Sequence, residues 1–76
     1  MERRTNGATV RVVREALGIS LTDLAARAGI TKPYMSQIET GARQPAPGVA
    51  RAIADGMGVP LDSITYPVPE PVAVAS

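Results

Sequence analysis

The segment from Ser20 to Gly41 constrains the fold most, because its apolar residues keep a helical spacing on both sides of one glycine. They comprise Leu21, Leu24, Ala25 and Ala28 before that glycine, and Met35 and Ile38 after it. Ser20 and Thr31 precede the two segments and predict N-caps, because their hydroxyls can accept hydrogen bonds from free backbone N–H groups. Gly29 predicts a sharp turn, since glycine adopts a positive φ without a Cβ clash. We therefore predict two short helices joined by a tight turn.

Three further segments of the chain have helical patterns. We expect a first helix from about Ala8 to Leu17, a fourth from Pro47 to Met57 and a short fifth that starts near Pro60. The apolar stripe of the first helix comprises Val10, Val13 and Leu17. Only two of the 76 residues are aromatic, so the small core must consist of aliphatic side chains, which suits packed helices. The predicted fold class is all-α, a compact domain of five helices.

The two ends of the chain differ in composition from the part between them. Residues 1–6 are polar, and we expect them to form a flexible arm. Residues 7–66 carry the helical patterns and are expected to form the folded domain. Three prolines then stand at alternate positions, which excludes a helix and predicts an extended, disordered tail over residues 67–76.

The composition argues against several classes of site. The chain has no cysteine and no histidine, so it lacks thiolate ligands, the commonest zinc ligand and the commonest general base. We therefore expect neither an enzyme nor a metal site, and no cofactor is predicted. No run of about 18 apolar residues occurs, which predicts no membrane span. No apolar segment follows Arg3 and Arg4 as it would in a secretory signal, so we expect a cytoplasmic protein.

Small, apolar and charged residues fall in one register between Val10 and Ile64. They are Arg14, Gly18-Ile19-Ser20, Leu24-Ala25, Gly29-Ile30-Thr31, Met35-Ser36, Ile38-Glu39, Gly41 and Gly58-Val59. This register resembles the five-helix domain of phage repressors and Cro proteins, also called the xenobiotic-response-element type. The resemblance implies that the second and third helices form a helix-turn-helix, and that Arg14 and Glu39 make a structural ion pair.

The same resemblance implies a small transcriptional regulator that binds double-stranded DNA in a sequence-specific manner, with its third helix in the major groove. One helix reads only a few base pairs, so a homodimer on a palindromic operator is expected. Leu61, Ile64 and Tyr66 are candidates for its interface, although core packing explains the first two equally well. Such a protein would be associated with the nucleoid. Because the net charge is only +1, positive charge must be concentrated near the DNA.

The candidate DNA contacts lie on the two central helices and just after them. They are Ser20, Thr22, Thr31, Lys32, Pro33, Tyr34, Ser36, Gln37, Thr40 and Arg43. Gln37 is the strongest candidate for reading a base, because its amide can donate and accept at the N6 and N7 edge of adenine. Lys32 and Arg43 suit phosphate oxygens. The alternative for each polar side chain is a solvated surface residue, and for Tyr34 it is packing at the helix junction.

Some positions depart from the pattern of many relatives. Leu21 stands where a phosphate-binding glutamine is common, and Pro33 stands where a polar residue is common. Arg3 and Arg4 could restore phosphate contacts if the flexible arm reaches a groove, with a merely solvated arm as the alternative.

A function of another class fits the same sequence. Small chains of this type also serve as antitoxins or as modules that bind another protein. The tail over residues 67–76 would then dock on that partner. The two functions can coexist in one chain.

Overall fold

Four α-helices lie between two short strands in residues 2–68, the part of the chain that the computed structural model describes, with Glu2 described by its backbone alone. The elements are β1 (Glu2–Thr5), α1 (Gly7–Ala16), α2 (Leu21–Ala28), α3 (Lys32–Thr40), α4 (Pro47–Met57), a 3-10 turn (Leu61–Ser63) and β2 (Thr65–Val68). The helix α2 packs against both α3 and α4, and α1 packs against α3. None of these helices has the length and hydropathy that a membrane span requires.

The predicted fold class is wrong in two respects. Within residues 2–68 there are four α-helices rather than five, and the chain is not all-α. The expected fifth helix is a single 3-10 turn at Leu61–Ser63, followed directly by β2. Pro60 and Pro67 leave too few residues between them for a stable helix, and Thr65 and Tyr66 have high strand propensity. Ile64 is nevertheless fully buried, which agrees with the core-packing interpretation of this residue.

The strand β1 replaces the flexible arm that was expected over residues 1–6. It pairs antiparallel with β2, so that Arg3 lies opposite Pro67 and Thr5 lies opposite Thr65. The N–H of Asn6 donates to the carbonyl oxygen of Ile64 at 2.8 Å, so these two residues form a hydrogen-bonded pair. Hydrogen-bonded and non-hydrogen-bonded pairs alternate along an antiparallel ladder. Pro67, three positions further along, therefore stands in a non-hydrogen-bonded pair, where its lack of an N–H costs no ladder bond. Pro67 and Val68 therefore belong to the sheet rather than to a tail, and residues 69–76 lie outside the described residues.

The core lies where the helices meet. Its fully buried side chains are Val10, Leu24, Met35, Ile38, Ile53 and Ile64. Leu17, expected in the apolar stripe of α1, is instead 51% exposed at the C-cap of that helix, which ends at Ala16. Gly7 allows α1 to approach α3 closely, since a Cβ there would overlap the backbone carbonyl oxygen of Ile38.

Candidate nucleic-acid interface

The helices α2 and α3 are joined by the predicted tight turn. Gly29 ends α2 with φ of 71°, a left-handed conformation that favours glycine. The Ser20 hydroxyl oxygen accepts from the N–H of Asp23 at 3.0 Å, and the Thr31 hydroxyl oxygen accepts from the N–H of Tyr34 at 3.2 Å. Each helix therefore begins at a side-chain cap, which fixes the residue at which it starts.

The outer side of α3 carries most of the candidate contacts. Lys32, Pro33, Gln37 and Thr40 are exposed, whereas Ser36 is half-buried on the same helix. On the opposite side Met35 and Ile38 are buried in the core. Thr22 is exposed on α2, and Arg43 is exposed in the loop after α3. The structure thus gathers these candidates along one helix and its two flanking segments.

The hydroxyl groups among the candidates differ in whether their hydrogen is free to donate to DNA. Ser20 and Thr31 accept hydrogen bonds as caps, and their O–H groups are not the donors in those bonds. The Thr40 hydroxyl instead donates to the carbonyl oxygen of Gln37 at 3.1 Å, so its hydrogen is already used within α3. Ser20 and Thr31 are therefore better placed than Thr40 to donate to a phosphate oxygen.

Tyr34 and Arg43 are brought together at the end of α3. The guanidinium carbon of Arg43 lies 5.9 Å from the centre of the Tyr34 ring, within the range of a cation–π contact. The N–H of Arg43 also donates to the carbonyl oxygen of Gln37 at 3.2 Å. The sequence suggested each residue separately, but it carries no signal that the two are in contact.

Arg14 and Glu39 join α1 to the end of α3. The Nε of Arg14 donates to Oε2 of Glu39 at 2.7 Å and the Nη2 to Oε1 at 3.1 Å, which is a bidentate pair. The Nη1 donates to the carbonyl oxygen of Ile19 at 2.9 Å. The side chains are only 13% and 6% exposed, respectively. The hydrogen bond that Arg14 donates to Glu39 raises the pKa of Arg14 although partial burial opposes this, so the guanidinium stays charged.

Gln44 is a structural residue that the sequence did not indicate. Its Oε1 accepts from the N–H of Thr5 and its Nε2 donates to the carbonyl oxygen of Thr5, both at 3.0 Å. The loop after α3 is thereby attached to β1. This contact was hidden because β1 itself was not predicted.

Arg3 is held at the sheet and does not extend as part of an arm. Its Nε donates to the hydroxyl oxygen of Thr65 at 2.9 Å, and its Nη2 lies 3.3 Å from a carboxylate oxygen of Asp62. Arg4 is exposed in the same strand. The expectation that these two arginines belong to a mobile arm, whether solvated or reaching a groove, is therefore corrected, because β1 fixes their backbone.

Comparison with known proteins agrees with this geometry. The fold and the capped turn define a helix-turn-helix domain, and the family model described as "Helix-turn-helix domain" matches residues 7–64. The chain belongs to this family, as its resemblance to the repressor and Cro type predicted.

The chain also has relatives among curated proteins. An "uncharacterized HTH-type transcriptional regulator" of Mycobacterium tuberculosis is 38% identical over 60 residues, which are 79% of this chain and 23% of that protein. This chain thus spans about a quarter of the length of that relative.

Similar folds are found among solved structures. The restriction-modification controller protein C.AhdI from Aeromonas hydrophila superimposes with a TM-score of 0.73 at 24% identity, covering 75% of this chain and 86% of that one. The biofilm master regulator SinR, whose crystal structure is a complex with DNA, gives a TM-score of 0.69 at 28% identity, with 74% and 90% covered.

Proposed function

We propose that this chain binds double-stranded DNA in a sequence-specific manner, as the DNA-binding part of a transcriptional regulator. The observation that carries the proposal is α3, whose inner side is buried in the core while Lys32, Pro33 and Gln37 are exposed on its outer side. In this proposal α3 enters the major groove and α2 crosses the DNA backbone. The complex of SinR with DNA supports it at the level of the family.

Gln37 is proposed to read a base. It is exposed, lies on the second turn of α3 and has an amide whose donor and acceptor match adenine. Pro33 lies one turn earlier and has no donor, so we propose that it makes only apolar contact, with a thymine methyl as the suitable partner. Ser36 is half-buried, which leaves it a smaller role at the groove.

Positive charge for the DNA backbone is proposed to come from both ends of α3. Lys32 is exposed at its first turn and Arg43 is exposed just past its last turn. The ring of Tyr34 restrains the guanidinium of Arg43, which lowers the entropy lost when that side chain binds a phosphate. We assign these two cations to phosphates on opposite sides of the groove.

The start of α2 is proposed to make weaker phosphate contacts. Ser20 and Thr22 are exposed there, and the first backbone N–H groups of the helix favour an anion. The side chain of Leu21 is half-buried against the core and has no donor, and Asp23 in the same turn carries a negative charge. We therefore expect Lys32 and Arg43 to contribute more than α2.

A homodimer on a palindromic site is the proposed state on DNA, because one α3 covers only a few base pairs. Of the three interface candidates, Ile64 is fully buried and offers no free surface, whereas Leu61 is half-buried against the core and offers only part of its side chain. Tyr66 is 43% exposed on β2 and is the remaining candidate. A chain bound to DNA would lie with the nucleoid, in the cytoplasm.

The proposal is favoured over the antitoxin or interaction module. That alternative depends on the tail from residue 67, most of which lies outside the described residues. The M. tuberculosis relative is named as a transcriptional regulator, and the similar structures are a controller protein and a master regulator. These descriptions support a role on DNA.

Selection of bound DNA from a random pool tests the proposal directly. The full chain should enrich one sequence with two-fold symmetry, and sizing of the complex should give two chains for each site. Gln37→Ala, which leaves the core unchanged, is the matched variant and should enrich a less defined sequence. A pool without any enriched sequence would refute sequence-specific binding, and a single chain on an asymmetric site would refute the dimer.

A further inference from the structure

A cleft of about 560 Å³ lies on the side of the sheet next to the start of α4. Apolar groups form part of its wall, and they belong to Pro45, Pro47, Ala50 and Leu61. The cleft is separate from the exposed side of α3, because none of the α3 residues proposed to contact DNA lines it. Its volume lies within the range of small-molecule sites in proteins, roughly 300–1,000 Å³.

Three arginines from two different elements line the same cleft. Arg3 and Arg4 come from β1, and Arg51 comes from α4. The guanidinium of Arg3 is fixed by Thr65 and lies 3.3 Å from the carboxylate of Asp62, which offsets its charge. Arg4 and Arg51 are exposed and add two further positive charges. No carboxylate from the described part of the chain lines the cleft.

We infer that this cleft binds a small organic anion. The apolar wall suits a ring or a short aliphatic body, and the arginines suit a carboxylate, sulfonate or phosphate group on that body. A DNA backbone would satisfy the arginines but would leave the apolar wall uncovered. The inference therefore concerns a ligand different from DNA, and it does not depend on the proposed function.

Gly48 offers a way to block the cleft without changing its charge. It lies in the first turn of α4 and lines the cleft, and a Cβ placed there meets no atom within 4 Å. Replacing this glycine also raises helix propensity, so Gly48→Met is expected to fold. Its flexible side chain would occupy space that the ligand needs.

A pair of matched probes tests the inference on the full chain. The anionic probe is 8-anilinonaphthalene-1-sulfonate, and the neutral probe is N-phenyl-1-naphthylamine, which has the same rings without the sulfonate. In ¹⁵N NMR spectra the anion should shift the amides that line the cleft, with Thr5, Gln44 and Gly48 as reporters. The anionic probe should bind about tenfold more tightly than the neutral probe, because one charge-assisted hydrogen bond contributes roughly this factor to affinity.

Variants separate binding in the cleft from adhesion to the surface. Arg51→Gln should lower the affinity for the anionic probe about tenfold. Gly48→Met should abolish the amide shifts that both probes cause. Arg11→Gln is the control, because Arg11 is an exposed arginine paired with Glu15 on α1 and it does not line the cleft. Three results would each overturn the inference. They are equal affinity for both probes, amide shifts confined to residues outside the cleft, and unchanged affinity of Arg51→Gln for the anionic probe. Since Arg51 is exposed, that variant remains decisive even if Gly48→Met does not fold.

Discussion

Gln44 pairs with Thr5 through both ends of its side-chain amide, as the backbone of a neighbouring strand would. The two hydrogen bonds are each 3.0 Å long and use the N–H and the carbonyl of Thr5 that do not face β2. An exposed strand edge of this kind can pair with another chain, and the amide of Gln44 occupies part of it. The same contact attaches β1 to the loop that follows α3.

Gln44→Ala is expected to destabilise the fold by about 1–3 kcal/mol, because it leaves two backbone groups of the buried Thr5 without partners. Urea denaturation followed by circular dichroism measures the change. Gln37→Ala is the control, since that glutamine is exposed and should alter stability by less than about 0.5 kcal/mol. If both variants unfold at the same urea concentration, the amide pairing contributes nothing to stability.

The helices and their ends could be predicted because their signals are local. The spacing of Leu24, Met35 and Ile38 indicated which sides of α2 and α3 are buried, and the structure buries all three. Ser20 and Thr31 were predicted to cap those helices, and both do so. Each of these signals lies within a few residues of the structure that it predicts.

The sheet could not be predicted because its two strands come from opposite ends of the described chain. Arg3 lies 62 positions from Thr65, and neither segment has the alternation of apolar and polar residues that marks a half-buried strand. β1 is polar, and Pro67 in β2 argues against a strand until its ladder position is known. The contacts that depend on the sheet, those of Gln44 and Arg3, were therefore hidden as well.

Glu39→Ala should lower the free energy of unfolding by about 3 kcal/mol, because the mostly buried guanidinium of Arg14 would lose its bidentate partner. Thermal denaturation at neutral pH provides the measurement. Glu15→Ala is a matched control, since Glu15 pairs with Arg11 on the surface of α1 and is 57% exposed. We expect Glu15→Ala to lower the free energy of unfolding by less than about 0.5 kcal/mol. Equal losses in the two variants would mean that burial does not strengthen the Arg14–Glu39 pair.

Two variants of Tyr34 separate its ring from its hydroxyl. Tyr34→Phe keeps the ring beside the Arg43 guanidinium and should leave DNA affinity nearly unchanged. Tyr34→Leu removes the cation–π contact and should weaken binding to cognate and random DNA alike, by about 0.5–1 kcal/mol. Equilibrium titration of labelled DNA at several salt concentrations tests both. A loss in Tyr34→Phe as large as in Tyr34→Leu would instead assign the effect to a phosphate contact by the hydroxyl.

Gly7→Ala should destabilise the fold by at least about 2 kcal/mol, because the new Cβ would overlap the Ile38 carbonyl and approach the Glu39 carbonyl oxygen to 2.9 Å. Backbone atoms cannot move aside as a side-chain end can, so α1 and α3 must separate. The control is Gly48→Ala, where the Cβ meets no atom within 4 Å and helix propensity improves. Melting temperatures should therefore fall for the first variant and stay level or rise for the second.

Gln37→Ala should reduce affinity for the selected DNA site by about 1–3 kcal/mol while leaving binding to random DNA unchanged, because the lost contact is to a base edge. Arg43→Ala is the contrasting variant, since a lost phosphate contact weakens all sequences and reduces the slope of log affinity against log salt by about one. Both residues are exposed, so melting temperatures should match that of the parent chain. If Gln37→Ala weakens cognate and random DNA equally, Gln37 does not read a base. An unchanged salt slope in Arg43→Ala would exclude its phosphate contact.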